Sequence, residues 1–282
     1  MKRLATLLLA VLTAGAAAFG FAGCNNENKP VILDGINLIE EQYGIAAKKG
    51  NDALVSKINE ALIAISGDEM KTIADTYDLG NDILVNGDTE NPLSGATDDS
   101  WNNLVSRKKV IIGYTVFAPI AYEIQNEVPT KGYDIELAKA VFDYLNEEYS
   151  ADIEIEFLEI DWNAKETLLA GGSIDLIWNG LTITDSRLQE MSLSVPYLKN
   201  RQVALVMSNN AEKYGDIESL KDAIAGAEDG SAGEEQIELK GIGKEYVKCE
   251  SQLDAYNKLK TGTLDVIVID SVMANYYISL EK

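Results

Sequence analysis

The sequence predicts an α/β protein whose sheets are covered by helices, and three observations carry that prediction. Strand and helix patterns alternate from residue 107 onward, and a helix stopped by Gly and followed by a hydrophobic residue, Asp and an apolar strand occurs twice. The third is the balance of 46% hydrophobic to 25% charged residues, which belongs to an ordinary folded, water-soluble chain. The length of 282 residues allows one large or two smaller domains.

Taken in order, Met1-Lys2-Arg3 and the uncharged run Leu4 to Phe21 read as a secretory signal covering residues 1–23. Residues 24–29 form a short tether. Asp52 to Ile65 places Ala53, Leu54, Ile58, Ala61, Leu62 and Ile65 at helical spacing, and a second helix follows Gly67-Asp68 to about Tyr77. Residues 86–106 are rich in turn formers without apolar period and read as a linker. Beyond it, Val110–Tyr114 is a strand and Ile135–Tyr149 a helix. Further strands are expected at Ile153–Ile160, Asp175–Trp178, Gln202–Met207 and Leu264–Ile269. The repeat lies at Leu168–Ile177 and Leu259–Ile267, so two sheets are built in the same way.

Composition narrows the function. With 46 acidic against 24 basic residues the net charge is -22, a field that repels nucleic acid. The chain has no His and two Cys, so the commonest general base and metal ligand are missing, and neither a metal site nor a cofactor is expected. Once the signal is removed, Cys249 has only Cys24 beside it, and the fold must hold without an internal disulfide. In open α/β sheets ligands bind beyond the carboxyl ends of strands. Those positions hold Trp178 to Arg187 and Ile269-Asp270-Ser271. Arg187 and Asp270 are the pair a zwitterion needs, a bidentate cation for a carboxylate and a carboxylate for an ammonium. Thr182 and Thr184 add donors, and Gly180 lets a ligand approach the main chain.

Several motifs extend this pattern. Asp175-Leu176-Ile177-Trp178-Asn179-Gly180-Leu181-Thr182-Ile183-Thr184-Asp185-Ser186-Arg187 is followed by Ser194-Val195-Pro196-Tyr197-Leu198 and Arg201-Gln202-Val203. Together with Phe117-Ala118-Pro119, Gly132-Tyr133-Asp134-Ile135-Glu136-Leu137-Ala138 and Gly230-Ser231, they resemble the extracellular solute-binding proteins of polar amino-acid ABC transporters, family 3 type. The resemblance covers nearly all of residues 107–282. It implies a two-lobed periplasmic-binding-protein-like fold of type II, with two α/β lobes joined by two crossing strands and a ligand cleft between them. It implies that Arg187, helped by Thr182 and the main chain at Gly180, clamps the ligand carboxylate, and that Asp270 takes the ammonium. Phe117 and Trp162 would sandwich the ligand, with Asn179 and Ser231 facing the same cleft. Tyr114 stands where relatives binding basic amino acids carry an acid, and Ala232 where a hydroxyl is common. A neutral polar or apolar amino acid is therefore expected. Phe21-Ala22-Gly23-Cys24 resembles the lipobox of bacterial lipoproteins, which implies lipidation of Cys24 and an extracellular protein tethered to the outer face of the cytoplasmic membrane.

The resemblance also implies an unusual chain order. The family's closing strand and helices should follow Asp270, yet their pattern appears at the front, in Gln42-Tyr43-Gly44-Ile45-Ala46-Ala47-Lys48-Lys49-Gly50-Asn51-Asp52-Ala53-Leu54 and beyond. The chain reads as a circular permutant, or as the remnant of a tandem duplication. One lobe would combine residues 44–85 with 107–202, the other residues 30–43 with 203–282. The expected partners are a free amino acid and the membrane subunits of an ABC importer, with the binding protein itself a monomer, although the long linker also permits domain swapping. The alternatives are a prephenate-type (cyclohexadienyl) dehydratase on the same scaffold, for which Glu159, Asp161 and Asp270 are the available acids, and a ligand-sensing module.

Overall fold

The structure, a computed structural model, describes residues 28–126 and 128–281. The predicted signal and Cys24 lie outside the described residues. The chain begins with β1 (Pro30–Ile32), β2 (Ile39–Lys48), α1 (Asp52–Ala64), α2 (Asp68–Thr76) and α3 (Ser100–Arg107). It continues through β3 (Lys109–Tyr114), the hairpin β4 (Tyr122–Gln125) and β5 (Val128–Lys131), α4 (Tyr133–Tyr149), β6 (Glu154–Glu159), α5 (Lys165–Gly171) and β7 (Leu176–Thr182). Next come α6 (Asp185–Glu190), β8 (Met191–Leu193), β9 (Leu198–Met207), α7 (Ile217–Leu220), β10 (Ile224–Glu228) and α8 (Ala232–Lys240). β11 (Glu245–Cys249), α9 (Gln252–Lys260), β12 (Val266–Asp270) and α10 (Ser271–Leu280) complete it.

Among the described residues, eight strands run β11-β10-β12-β9-β2-β7-β3-β6 across one continuous path, with β1 added beside β9 and β8 beside β2. The two ten-residue strands join the halves. Ile39–Tyr43 of β2 pair antiparallel with β9, after which Tyr43–Ala47 pair with β7. Conversely, Leu198–Gln202 of β9 pair with β2, whereas Gln202–Val206 pair with β12. Each long strand exchanges partners near its middle, so each belongs to both lobes.

Alternation explains how the sheet is covered. Val203, Leu205 and Met207 of β9 pack into one apolar cluster with Ala255, Tyr256 and Leu259 of α9. Ala204 and Val206 point the other way, toward Ile237 of α8 and Leu220 of α7. In the other lobe, Leu54, Val55, Ile58, Leu62 and Ile65 are buried in one cluster with Val110 and Ile112 of β3 and Leu137, Val141 and Leu145 of α4. The amino-terminal helices therefore complete the core of the lobe that begins at β3.

The sequence repeat has a shared physical basis. Gly172 and Gly262 both end a helix or turn at φ +75°, a conformation that Gly adopts without steric cost. Asp175 Oδ2 then accepts from the N–H of Ile111 at 2.8 Å, and Asp265 Oδ2 from that of Ile224 at 2.9 Å. Each aspartate extends the pairing of its own parallel strand onto the neighbouring strand.

One expectation needs correction. Residues 86–106 are built structure rather than plain linker, because Trp101, Leu104 and Val105 give α3 an apolar face against the first-lobe core. Asn91 donates to the carbonyl of Ser56, and Asp98 Oδ2 accepts from the Ala53 N–H at the start of α1. Three apolar residues amid turn formers are too sparse to show as a period. The strands β10 and β11 also escaped the pattern, β10 because Ala225, Gly226 and Ala227 have little strand propensity.

Candidate functional site

The first wall of the site is the end of β7, where all seven residues are buried. Gly180 has φ +65°, and a Cβ there would come 2.8 Å from Phe117 Cε1. Its N–H is already given to Asp134 Oδ2 at 2.8 Å. What Gly180 contributes is space, and its amide is not free for a ligand carboxylate. Asp134 also accepts from the Tyr197 hydroxyl, and burial pushes its carboxyl up to about 7. Asn179 donates to Thr115 Oγ1 at 3.1 Å, while its Oδ1 has no donor.

The spacing Thr-x-Thr-x-x-Arg has a local cause. Thr184 caps α6 by accepting from the Arg187 N–H at 3.2 Å. The Arg187 side chain then folds back, and Nη1 donates to the Thr182 carbonyl at 2.7 Å, with Nε 3.8 Å from Glu166 Oε1. Burial lowers the Arg187 pKa from its ordinary value, but a guanidinium keeps its charge. One short helix cap thus aims a fixed cation at the cleft.

The second wall comes from the other lobe. Asp270 ends β12 and is buried, accepting from the Tyr43 hydroxyl at 2.6 Å, from Gln202 Nε2 at 3.1 Å, and from Asn200 and Gln252. Asn200 and Gln202 also donate to Glu41, and Thr182 Oγ1 donates to Glu41 Oε2 at 3.0 Å. Two carboxyl groups therefore share the same amide donors. Burial first, and then the nearby Asp270, push Glu41 up to about 8. Ser231 caps α8 through Glu234 and stands beside Glu228, whose carboxyl burial, followed by Asp270, also raises to about 8.

The lobes meet closely. Lys165 on α5 is 2% exposed, and its ammonium donates to the Trp162 carbonyl at 3.1 Å and, across the cleft, to the Gly230 carbonyl at 3.0 Å. Burial, then Arg187, lowers its pKa. The part of the cleft lined by Asp270, Thr182 and Trp162 encloses only about 10 Å³, close to what one water occupies, whereas a wider space of about 460 Å³ between the same lobes is lined by Glu166, Arg187, Ser231 and Glu234. Small-molecule sites usually enclose several hundred Å³. An organic ligand does not fit the inner space unless the lobes part, and β2 and β9 are the strands that cross between them.

Phe117, Trp162, Asn179, Gly180, Thr182, Arg187, Ser231 and Asp270, all singled out in the sequence, line this one cleft. Tyr114 does not. It is fully buried behind the cleft with Ala121 and Ile135, its ring edge-on to Phe157 at 6.3 Å. Strand alternation turns it inward, so the argument from Tyr114 for a neutral ligand loses its premise. Ala232 does line the cleft. Thr115, Glu228 and Gln252 line it as well and were missed. Glu228 would have been found by applying the strand-end rule to Ile224–Glu228, had that strand been legible. Among the described residues no group of three His, Cys, Asp or Glu side chains could hold a metal ion.

The lobes, the crossing strands and the paired charges can now be set beside known proteins. The profile of bacterial extracellular solute-binding proteins, family 3, matches residues 110–267. The chain belongs to that family. Its fold is accordingly that of a type II periplasmic binding protein. The chain is 29% identical over 180 residues to the arginine-binding extracellular protein ArtP of Bacillus subtilis (strain 168), covering 61% of this chain and 64% of that protein. It is 30% identical over 164 residues to a probable histidine-binding protein of Neisseria gonorrhoeae, covering 57% and 58%. The match therefore spans about three fifths of these curated relatives. Among solved structures, an ABC uptake transporter substrate-binding protein from Streptococcus pneumoniae with bound histidine superposes with a TM-score of 0.58 at 32% identity. That superposition covers 65% of this chain and 74% of the other. The ancestral amino acid-binding protein AncCDT-1, a precursor of cyclohexadienyl dehydratase, gives 0.56 at 26% identity, with 62% and 76% covered.

Proposed function

We propose that this chain is an extracellular lipoprotein, anchored through Cys24, that closes on a free amino acid and presents it to the membrane subunits of an ABC importer. The observation that carries the binding reading is the pair Arg187 and Asp270. One cation and one carboxylate, held by different lobes, line one narrow cleft. Closure brings both to the ligand at once and removes the water that would weaken their bonds. The relatives named above are binding proteins, which supports the same reading. A dehydratase would need an acid or base aimed at its substrate. Of the acids the sequence offered, Glu159 and Asp161 do not line the cleft and Asp270 is already bonded to Tyr43, Asn200, Gln202 and Gln252, so Glu228 is the lining acid that such an enzyme would have to use.

The pairing of β1 and β2 with β9, β7 and β8 supports reading the chain order as a circular permutation, with lobe boundaries near Tyr43 and Gln202. In that order β1, which pairs with β9 on the lobe of β12, follows the proposed anchor, so this lobe would lie nearest the lipid.

Mass spectrometry of small molecules released from the purified protein, followed by calorimetry with the identified compound, tests the proposal. The expected result is an α-amino acid bound at one site per chain. Failure of every standard amino acid to bind, or turnover of added prephenate followed by absorbance, would replace the reading.

A further inference from the structure

The cleft holds one carboxyl group that the backbone of an amino acid would leave unanswered. Glu228 ends β10, is 4% exposed, and lines the cleft with Trp162, Gln252 and Asp270. Its Oε1 accepts no hydrogen bond. Gln252 approaches the carboxyl and Lys165 acts on it through space, yet Oε1 is left without a donor. Gln252 spends its amide nitrogen on Asp270, and its Oε1 accepts from the Asp270 N–H at 3.2 Å. Lys165, the nearest cation, gives its ammonium to two carbonyls and lies 3.2 Å from Glu166. Asn179 Oδ1, on the opposite wall, also lacks a donor. Two buried acceptors thus face a space from which closure excludes water.

We propose that Glu228 is a specificity residue that selects a ligand whose side chain ends in a cation, making this a site for a basic amino acid. This rests on the amino-acid reading above and narrows it. The ligand carboxylate answers Arg187 and its ammonium answers Asp270. With a neutral side chain, Glu228 keeps a buried Oε1 without a donor, a cost that falls on the site however the carboxyl is protonated. A guanidinium, ammonium or imidazolium fills it with a charge-assisted bond, can share a donor with Asn179, and gains from the aromatic faces of Phe117 and Trp162. Ala232, where the family resemblance suggests a hydroxyl, brings none, which leaves Ser231 as the hydroxyl of that turn in the cleft.

Calorimetry with arginine, lysine, histidine, glutamine and leucine on the native protein and on Glu228→Gln tests this. The native protein should bind one of the three basic amino acids at least about tenfold more tightly than glutamine or leucine, and E228Q should collapse that ratio. Tightest binding of glutamine or leucine by the native protein overturns the inference and leaves the amino-acid reading standing. An unchanged ratio in E228Q does the same. Binding of none of the five overturns the inference, and the amino-acid reading falls with it only when every other standard amino acid also fails to bind, with the fold intact by circular dichroism.

Discussion

At the scale of single residues, Arg187 is the sharpest test of the site. Its side chain is 14% exposed and fixed by Thr182, so it is oriented before any ligand arrives. Arg187→Ala would bury a ligand carboxylate without its cation, at about 2–5 kcal/mol, and affinity should fall by more than about tenfold. Calorimetry on a variant with a native circular dichroism spectrum reads this, and unchanged affinity removes Arg187 from the site. Locally, Asp185-Ser186-Arg187-Leu188 reads as a capped helix start with a solvated arginine, and Arg187 was legible as a site residue through its place beyond a strand end and the resemblance of the Thr-x-Thr-x-x-Arg element to the family. Glu41, Gln202 and Gln252 were not legible as partners of Asp270, because their sequence separations from it give no local signal.

At the scale of elements, β2 and the helices after it decide whether the first lobe is whole. β2 lies between β9 and β7 in the middle of the sheet, and α1 covers Val110 and Ile112. Without them two strands gain unpaired edges and a broad apolar face meets water. Residues 24–282 should therefore express as a soluble monomer that binds ligand, whereas residues 100–282 should aggregate. Size-exclusion chromatography of the two side by side is the measurement. Equal solubility and binding by the shorter chain would make residues 30–85 dispensable and end the permutation reading. The helices of this segment were readable from their period, as were the positions of β3, α4 and β9, although the structure lengthens most of them. β2 was readable only through its resemblance to the family's closing strand, since its outer half is polar and its inner half continuously buried.

At the scale of the whole molecule, acidity shapes stability. Glu41 and Glu228 are raised to about 8 and Asp134 to about 7, each chiefly by burial, against ordinary values of 4.5, 4.5 and 3.8. Between the ordinary and raised values the folded protein binds protons that the unfolded chain does not. Their contribution is thus fully present below the ordinary value and is lost as pH rises through the raised one. The net charge of -22 acts in the same direction, because self-repulsion grows as carboxyl groups ionise. Calorimetric melting without ligand should give a lower Tm at about pH 8 than at about pH 5.5. Glu41→Gln and Glu228→Gln should each flatten that slope, and a Tm that rises over this interval contradicts it. Well below this interval the trend reverses. Glu60, Asp98 and Asp229 have lowered pKa values, and what they contribute is lost as pH falls through those values.

The sequence by itself determined the fold class, the repeat at Asp175 and Asp265, and the chemistry at the ends of β7 and β12. All of these rest on neighbours within a few positions or on apolar periods that any sheet-covering element must obey. Only the tertiary structure decided which residues share the cleft. It turned Tyr114 into the core and brought Glu228 to the wall, and it gathered Glu41, Tyr43, Asn200 and Gln252 around Asp270. The reason is that each of these contacts depends on how elements distant in sequence lie side by side, and for those on strands a one-residue change of register would turn the side chain to the opposite face.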